Sequence, residues 1–280
     1  MRCNILDRAI LAILWFLLIL LPLAIIINTA DATIIKPVLL FGGVYLLLLL
    51  WLLASVLTSQ VELAKNPLNP PVIAFLAVIL LYFLFSKYRF VSQRGLLWIL
   101  PFFILFFIGS QKIRGERRIK GTVYLLLGTT FLASLFGLFQ HFGFRVFPWQ
   151  EENLTRIPST FGNANFFAGF LVGILPLNIA LVLGERERLK RLIFVALSLL
   201  FLSSLALTLT RTAWFAFLGG GLALWLGYRK RGKFELRYLL LLLIFLALFF
   251  SSPLSPSWRG WKRCSISGGF PAFRPGFRDG

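Results

Sequence analysis

Residues 9–27 read AILAILWFLLILLPLAIII, an apolar run that contains no charged side chain. A helix needs roughly 20 such residues to cross about 30 Å of hydrocarbon. The run is also too long for the apolar core of a signal peptide, which spans about 7–15 residues. A helix is the expected form because in lipid every backbone N–H and C=O group must find its partner within the segment. The run therefore predicts a retained membrane-spanning helix.

Apolar runs of similar length recur through most of the chain. Apolar residues make up 59% of the 280 residues and charged residues only 14%, whereas a soluble domain carries about 25% charged residues on its hydrated surface. The sequence predicts an all-α fold, a polytopic membrane helix bundle of about nine transmembrane helices that fills residues 1–252. The spans are predicted near 9–28, 37–57, 71–86, 95–110, 121–141, 163–183, 191–209, 212–228 and 237–252.

Basic residues lie in short clusters between the apolar runs. The net charge is +19, but no single arm collects it, which argues against nucleic-acid binding. If the N-terminus is cytoplasmic, 17 of the 29 Lys and Arg residues fall in inner segments, 7 in outer loops and 5 in the tail. The positive-inside rule then predicts a cytoplasmic N-terminus and a multi-pass protein of the bacterial inner membrane. The outer seven are Lys36, Lys87, Arg89, Arg94, Arg145, Arg156 and Arg211.

The composition changes abruptly at Ser251. Residues 253–280 are rich in Arg, Gly and Pro without apolar periodicity, so they are predicted to form an irregular tail. Cys3 and Cys264 are predicted on opposite sides of the membrane, so no disulfide is expected between them. The sequence contains no phosphate-binding loop, no dinucleotide-binding glycine motif and no zinc-binding motif. Candidate functional residues are therefore sought among polar groups at the outer ends of helices.

The most informative polar stretch is RIPSTFGNANFFAG, residues 156–169, which joins the fifth and sixth predicted spans on the outer side. Ser159, Thr160 and Asn163 are suitable N-cap residues for the helix that follows. A helix N-terminus beside Arg156 offers unpaired N–H groups and positive charge, which suit a phosphate. The alternative is a well-capped membrane helix with an arginine at the level of the lipid headgroups.

A second candidate is the short outer turn TRTAW, residues 210–214. Arg211 has almost no loop around it, and a cation this close to hydrocarbon is costly unless it reaches the interface or pairs with an anion. A lipid pyrophosphate would be such an anion, because a guanidinium binds it through two parallel hydrogen bonds. The alternative is simple contact with phospholipid headgroups.

Two other features are weaker candidates. Glu151 and Glu152 are adjacent carboxylates, but neighbouring side chains point in different directions in most backbones, so solvated loop charges are expected. His141 is the sole histidine and ends the fifth predicted span. A lone histidine at the interface is more often structural than catalytic.

The stretch 156–169, the apolar run with Pro176 that follows it, and the turn 210–214 together resemble the signature of the O-antigen ligase and polymerase superfamily of bacterial membrane proteins. Ser86 and residues 92–95 (SQRG) fall where that family has a polar outer loop. The resemblance covers roughly residues 9–250.

The resemblance implies glycosyl transfer at the periplasmic face without a metal, a nucleotide sugar or another cofactor. A glycan would pass from an undecaprenyl-pyrophosphate carrier to an acceptor, either the lipid A core of lipopolysaccharide, another glycan or a protein. Arg211 would bind the pyrophosphate and neutralise its charge as it leaves. The other residues of this pocket would be Arg156, Ser159, Thr160, Asn163 and Asn165.

The family continues with a large periplasmic loop that carries a further arginine and a histidine proposed as base, and this chain has no counterpart of either. His141 lies too early to replace that histidine, so the catalytic residue is not assigned. The sequence suggests a truncated or frame-shifted member, whose in-frame part ends near residues 252–255. The rival interpretations are a transporter or flippase for a lipid-linked substrate, which would need charged or broken helices at mid-membrane depth, and a non-catalytic membrane scaffold.

Overall fold

The computed structural model describes residues 2–25, 35–58, 66–143 and 156–229, and all regular secondary structure in these residues is helical. A short 3₁₀ helix, Ser159–Phe161, precedes α6. The α-helices are α1 (Arg2–Leu23), α2 (Ile35–Thr58), α3 (Asn69–Phe85), α4 (Arg89–Lys112), α5 (Glu116–His141), α6 (Ala164–Gly184), α7 (Arg188–Leu207) and α8 (Arg211–Arg229).

Six of these helices are long and apolar enough to cross a membrane, namely α1 from Ile5 onward, α2, α4, α5, α6 and α7. The prediction of an all-α, multi-pass membrane protein is thereby confirmed. The helix α3 is apolar but shorter, and α8 contains Gly219-Gly220-Gly221 and an arginine at each end. The ninth predicted span, 237–252, and the predicted tail, 253–280, lie outside the described residues.

The chain divides into two compact units, Met1–Ala213 and Trp214–Gly280. In the first unit, α1 packs against α2, α4 and α5, whereas α6 packs against α7 and both contact α5. The close approach of α1 and α2 depends on Gly43, because a Cβ atom there would lie 2.5 Å from a methyl carbon of Leu17. Small residues allow such close packing of helices in lipid, where apolar side chains alone give little driving force for association.

Buried polar side chains join helices of the first unit. The Trp15 indole donates a hydrogen bond of 3.0 Å to the Thr122 hydroxyl and thereby links α1 to α5. The Asn178 amide of α6 donates to the Phe194 carbonyl and to the Ser198 hydroxyl of α7, both at 2.8 Å. In an apolar surrounding these bonds fix which faces of the helices meet.

The turn between α6 and α7 is stabilised by the Glu185 carboxylate. It accepts hydrogen bonds from the backbone N–H groups of Glu187 and Arg186, which hold the pKa of Glu185 below its ordinary value. The Arg191 guanidinium donates to the Glu185 carbonyl at 2.5 and 3.0 Å. The turn therefore returns α7 alongside α6, so that the end of α7 lies near the start of α6.

The helix α4 differs from the prediction, since it begins at Arg89 rather than near residue 95. Residues 92–95, predicted as a polar outer loop, form part of its first turns. The Ser92 backbone N–H donates to the Tyr88 carbonyl as in a helix, and its hydroxyl donates to the Ser86 hydroxyl at 2.6 Å. The apolar pattern marks only the part of a helix that lies in lipid, whereas backbone bonding continues into the exposed turns.

Candidate functional site

The segment 156–163, between α5 and α6, is fixed by hydrogen bonds to other helices. The Ile157 backbone N–H donates to the Leu207 carbonyl at the end of α7, at 3.3 Å. The Ser159 hydroxyl is buried and donates to the Ala133 carbonyl of α5, at 2.6 Å. The segment is therefore held in one place relative to α5 and α7.

A glycine on α5 allows this segment to lie against the helix. A Cβ atom at Gly137 would lie 3.2 Å from a methyl carbon of Ile157 and 3.4 Å from atoms of Ser159 and Phe167. Ile157 and Phe167 are both fully buried. The contact is therefore a packed interface between α5, the segment and α6.

The segment also contacts the end of α1 and the start of α2. The buried Thr160 hydroxyl donates to the Pro22 carbonyl in the last turn of α1, at 2.7 Å. The Lys36 ammonium donates to the same carbonyl at 3.2 Å and lies 4.4 Å from the centre of the Phe161 ring. An ammonium at this distance from an aromatic face is attracted by its negative potential. These contacts bring the half-buried Lys36 to the candidate site, which the sequence alone did not indicate.

The start of α6 confirms one of the three predicted caps. Asn163 has extended backbone geometry and is the N-cap residue, and its side-chain oxygen accepts a hydrogen bond of 2.8 Å from the Asn165 backbone N–H. Ser159 and Thr160, also predicted as caps, lie in the 3₁₀ helix, and their hydroxyls bind other helices instead. The reversal at Gly162, which has a φ of 67°, separates them from α6.

Arg156 joins three chain segments at this site. Its Nε donates to the Thr208 carbonyl at 2.8 Å. Its Nη2 donates to the Asn165 side-chain oxygen at 2.6 Å and to the Thr210 hydroxyl at 2.9 Å. We call Arg156, Asn165, Thr208 and Thr210 the Arg156 cluster. It brings together the first turn of α6 and the residue that precedes α8, so the N-terminal ends of two helices meet there.

Two residues close in sequence to members of the Arg156 cluster have strained backbone. Ser159 and Leu209, each with a φ of 51°, are the only non-glycine residues with positive φ in the described part of the chain. For L-residues this conformation costs roughly 1–2 kcal/mol. Strain of this kind persists where the surrounding contacts hold it in place, which is frequent at functional sites.

Arg211 is exposed and forms the first residue of α8, directly after Thr210 of the Arg156 cluster. Within the described residues, neither Arg211 nor Arg156 nor Lys36 forms an ion pair with a carboxylate. Three cations without acidic partners, next to helix N-termini, produce a local positive potential. Such a site attracts an anion that carries more than one charge.

A cavity of about 630 Å³ adjoins the 3₁₀ helix and the start of α6. Its walls are apolar and aromatic side chains of α1, α2, α4 and α6, and Lys36 and Asn165 supply its charged and amide groups. We call it the Lys36 cavity. Asn165 belongs both to this cavity and to the Arg156 cluster, so the two features share a wall.

The other predicted candidates do not join this group. His141 is exposed, with its ring 5.6 Å from that of Phe142. Glu151 and Glu152 lie outside the described residues. In the part of the chain that the structure describes, no group of His, Cys, Asp or Glu could hold a metal ion.

Comparison of the chain with protein-family models, with curated proteins and with solved structures found no match. The resemblance to the O-antigen ligase and polymerase superfamily therefore rests on the sequence motifs alone. What the site can bind has to be argued from its own charges, hydrogen bonds and cavity.

Proposed function

We propose that this protein is a membrane glycosyltransferase of the O-antigen ligase type. It has nine spans in the bacterial inner membrane, with a cytoplasmic N-terminus and the Arg156 cluster at the periplasmic face. It takes a glycan from an undecaprenyl-pyrophosphate carrier and transfers it to an acceptor, either the lipid A core, another glycan or a protein. The observation that supports this proposal most directly is the meeting of two helix N-termini with the cations Arg156 and Arg211.

The chemistry of the transfer requires such a positive site. The bond between the sugar carbon and the phosphate oxygen breaks, a bond from the acceptor hydroxyl oxygen to that carbon forms, and the hydroxyl proton is released. The leaving carrier pyrophosphate gains negative charge in this step. Hydrogen-bond donors held in place where charge develops lower the barrier by several kcal/mol, because they need no reorganisation during the reaction.

The residues of the site have different roles in binding the pyrophosphate. Arg211 is exposed and can donate two parallel guanidinium hydrogen bonds to the pyrophosphate oxygens. Arg156 uses three hydrogen bonds to hold the start of α6 and the end of α7 in place, so it positions the site and adds charge. Asn163 caps α6, whereas the hydroxyls of Ser159 and Thr160 fix the 3₁₀ helix. Arg211 binds the leaving group, the other residues hold the site in place, and none of them is assigned as the base.

Binding of a long-chain polyprenyl diphosphate to the purified protein in detergent tests the proposal. Arg211→Ala should weaken binding at least about tenfold, since hydrogen bonds to charged groups contribute about 1.5–3 kcal/mol each. Arg211→Lys should give an intermediate affinity, because lysine keeps the charge but loses the planar pair of donors. The matched control is Arg117→Ala, an exposed arginine in the first turn of α5. It lies about 24 Å along that helix from Ala133, at 1.5 Å per residue.

Equal affinity of the wild type and Arg211→Ala would show that Arg211 does not bind the carrier. An equal loss with Arg117→Ala would point to nonspecific attraction by basic residues. If neither the wild type nor any variant binds, the glycosyltransferase proposal fails and a non-catalytic scaffold becomes the better interpretation.

A further inference from the structure

We propose that the start of α7 and the turn before it form a binding site for phosphatidylglycerol, an anionic phospholipid, whose phosphate is held by Arg186 and Arg188. The site lies at the end of α6 opposite to the Arg156 cluster, since the first turn of α6 belongs to that cluster and the helix ends at Gly184. The inference therefore goes beyond the proposed function and does not rest on it.

Two arginines at this turn have no acidic partner. Both Arg186 and Arg188 are exposed, and neither forms an ion pair with a carboxylate of the described residues. The neighbouring carboxylates are already engaged, because that of Glu185 accepts two backbone N–H groups. The Glu187 carboxylate pairs with the Lys190 ammonium at 2.6 Å. The two guanidinium groups therefore remain available to an anion.

An exposed apolar surface adjoins these cations on α7. Leu189, Leu192 and Ile193 are 64%, 65% and 50% exposed. Leu192 lies four residues after Arg188, and Ile193 lies four after Leu189, so these side chains share one side of the helix. The opposite side carries the buried Phe194, which packs against α5. A ligand on the outward side therefore meets both positive charge and apolar side chains.

The length of α7 places these side chains at the membrane surface. The helix has 20 residues and so spans about 30 Å at 1.5 Å per residue, which is the thickness of the hydrocarbon layer. Arg188 is its first residue and reaches the level of the lipid phosphates, whereas Leu192 and Ile193 face the acyl chains. A phospholipid has its phosphate and its apolar chains in this order. A soluble phosphate compound would leave the apolar side uncovered.

The charge around the turn favours a lipid with a net negative charge. Residues 112–120, from the end of α4 to the first turns of α5, contain five cations and one carboxylate. They lie beside the start of α7, because the rings of Tyr124 and Phe194 stack with their centres 6.3 Å apart. A zwitterionic headgroup would bring its own ammonium into this positive potential, whereas phosphatidylglycerol brings only a phosphate. A guanidinium can bind that phosphate through two hydrogen bonds.

The test measures lipid binding to the purified full-length protein in an uncharged detergent, by titration and native mass spectrometry. Arg186→Gln and Arg188→Gln keep a long polar side chain but remove the charge. The matched control is Arg89→Gln, because Arg89 is also exposed and is also the first residue of its helix. That helix, α4, has its other end next to α5, so Arg89 lies about 36 Å from this turn along its 24 residues.

We expect each of the two variants to weaken the binding of phosphatidylglycerol about fivefold, which is the factor that one basic side chain near an anionic membrane surface contributes. The double variant should lose at least about tenfold, and Arg89→Gln should change less than about twofold. Phosphatidylethanolamine, which is zwitterionic, should bind the wild type at least about tenfold more weakly. Glycerol phosphate at the same concentration should not displace phosphatidylglycerol.

An unchanged affinity in the double variant would overturn the site, and an equal loss in Arg89→Gln would show only nonspecific attraction by basic residues. Equal affinity for the two phospholipids would overturn the selection of an anionic headgroup. Displacement by glycerol phosphate would mean that the ligand is a soluble phosphate compound. None of these outcomes decides the Arg211→Ala measurement, which concerns the other end of α6.

A second measurement uses the unaltered protein and so does not depend on how the variants fold. Phosphatidylglycerol with a photoreactive group in an acyl chain should crosslink to the peptides that contain Leu189, Leu192 or Ile193. Phosphatidylethanolamine with the same group should crosslink to them less. Equal crosslinking of these peptides by the two lipids would overturn the inference.

Discussion

The Nη2 atom of Arg156 lies 2.6 Å from the Oδ1 atom of Asn165 and donates a hydrogen bond to it. The same nitrogen donates to the Thr210 hydroxyl, so one guanidinium links the first turn of α6 to the residue before α8. Arg211 follows Thr210 but remains exposed, and its guanidinium forms no ion pair with a carboxylate of the described residues. The two arginines therefore have separable roles, one in holding the site together and one in binding.

Arg156→Lys should destabilise the protein more than Arg211→Lys does. A lysine ammonium cannot reproduce the bonds of Nε and Nη2 to three different partners, and loss of charged hydrogen bonds costs about 1.5–3 kcal/mol each. Thermal unfolding in detergent should show a lower midpoint for Arg156→Lys and an unchanged one for Arg211→Lys. Equal midpoints would mean that the Arg156 bonds contribute nothing to stability.

Much of the fold could be predicted from the sequence, because a membrane-spanning helix appears in the sequence as a long apolar run. Long apolar runs located the helices, and Asn163 was predicted as a cap because a short polar side chain just before a helix can bind its first N–H groups. The count of nine spans and the cytoplasmic N-terminus stay predictions. The start of α4 was missed, since its exposed polar turns have no apolar signal.

The partners within the site could not be predicted, because they come from distant parts of the chain. The Thr160 hydroxyl binds the carbonyl of Pro22, 138 residues earlier, and no local pattern distinguishes that role from capping. Lys36 was predicted only as an outer-loop charge. A lone cation between two apolar runs could have indicated a residue that contacts the candidate site. The strain at Leu209 has no signature in sequence, since leucine rarely adopts positive φ.

Gly43→Leu should disrupt the packing of α1 against α2, whereas Gly42→Leu should be tolerated. A side chain at position 43 would collide with Leu17, which is 3% exposed, but a Cβ at position 42 meets nothing within 4 Å. Overpacking of this kind costs roughly 1–3 kcal/mol. The measurement is thermal unfolding of both variants in the same detergent. A loss of stability in Gly42→Leu as large as in Gly43→Leu would contradict the assigned interface.

Gly137→Val should perturb the site as well as the fold, because position 137 faces Ile157, Ser159 and Phe167. The added carbons would push the 156–163 segment away from α5, at a cost of about 1–3 kcal/mol, and so displace the Arg156 cluster. Both the unfolding midpoint and the affinity for polyprenyl diphosphate should fall. The control is Gly128→Val on the same helix, where a Cβ meets nothing within 4 Å. A normal affinity in Gly137→Val would show that this contact does not position the site.

The orientation in the membrane can be read from the two ends of α4. This helix has 24 residues, or about 36 Å at 1.5 Å per residue, so its flanking turns should lie on opposite sides of about 30 Å of hydrocarbon. In a background with Cys3 and Cys264 replaced by serine, Lys87→Cys should react with a membrane-impermeant maleimide in intact spheroplasts. Gly115→Cys, in the connection to α5, should react only after permeabilisation, because a cytoplasmic N-terminus places that turn inside. The opposite labelling pattern would mean that the topology is inverted and that the Arg156 cluster lies at the cytoplasmic face. Equal labelling of the two positions would mean that α4 does not cross the membrane.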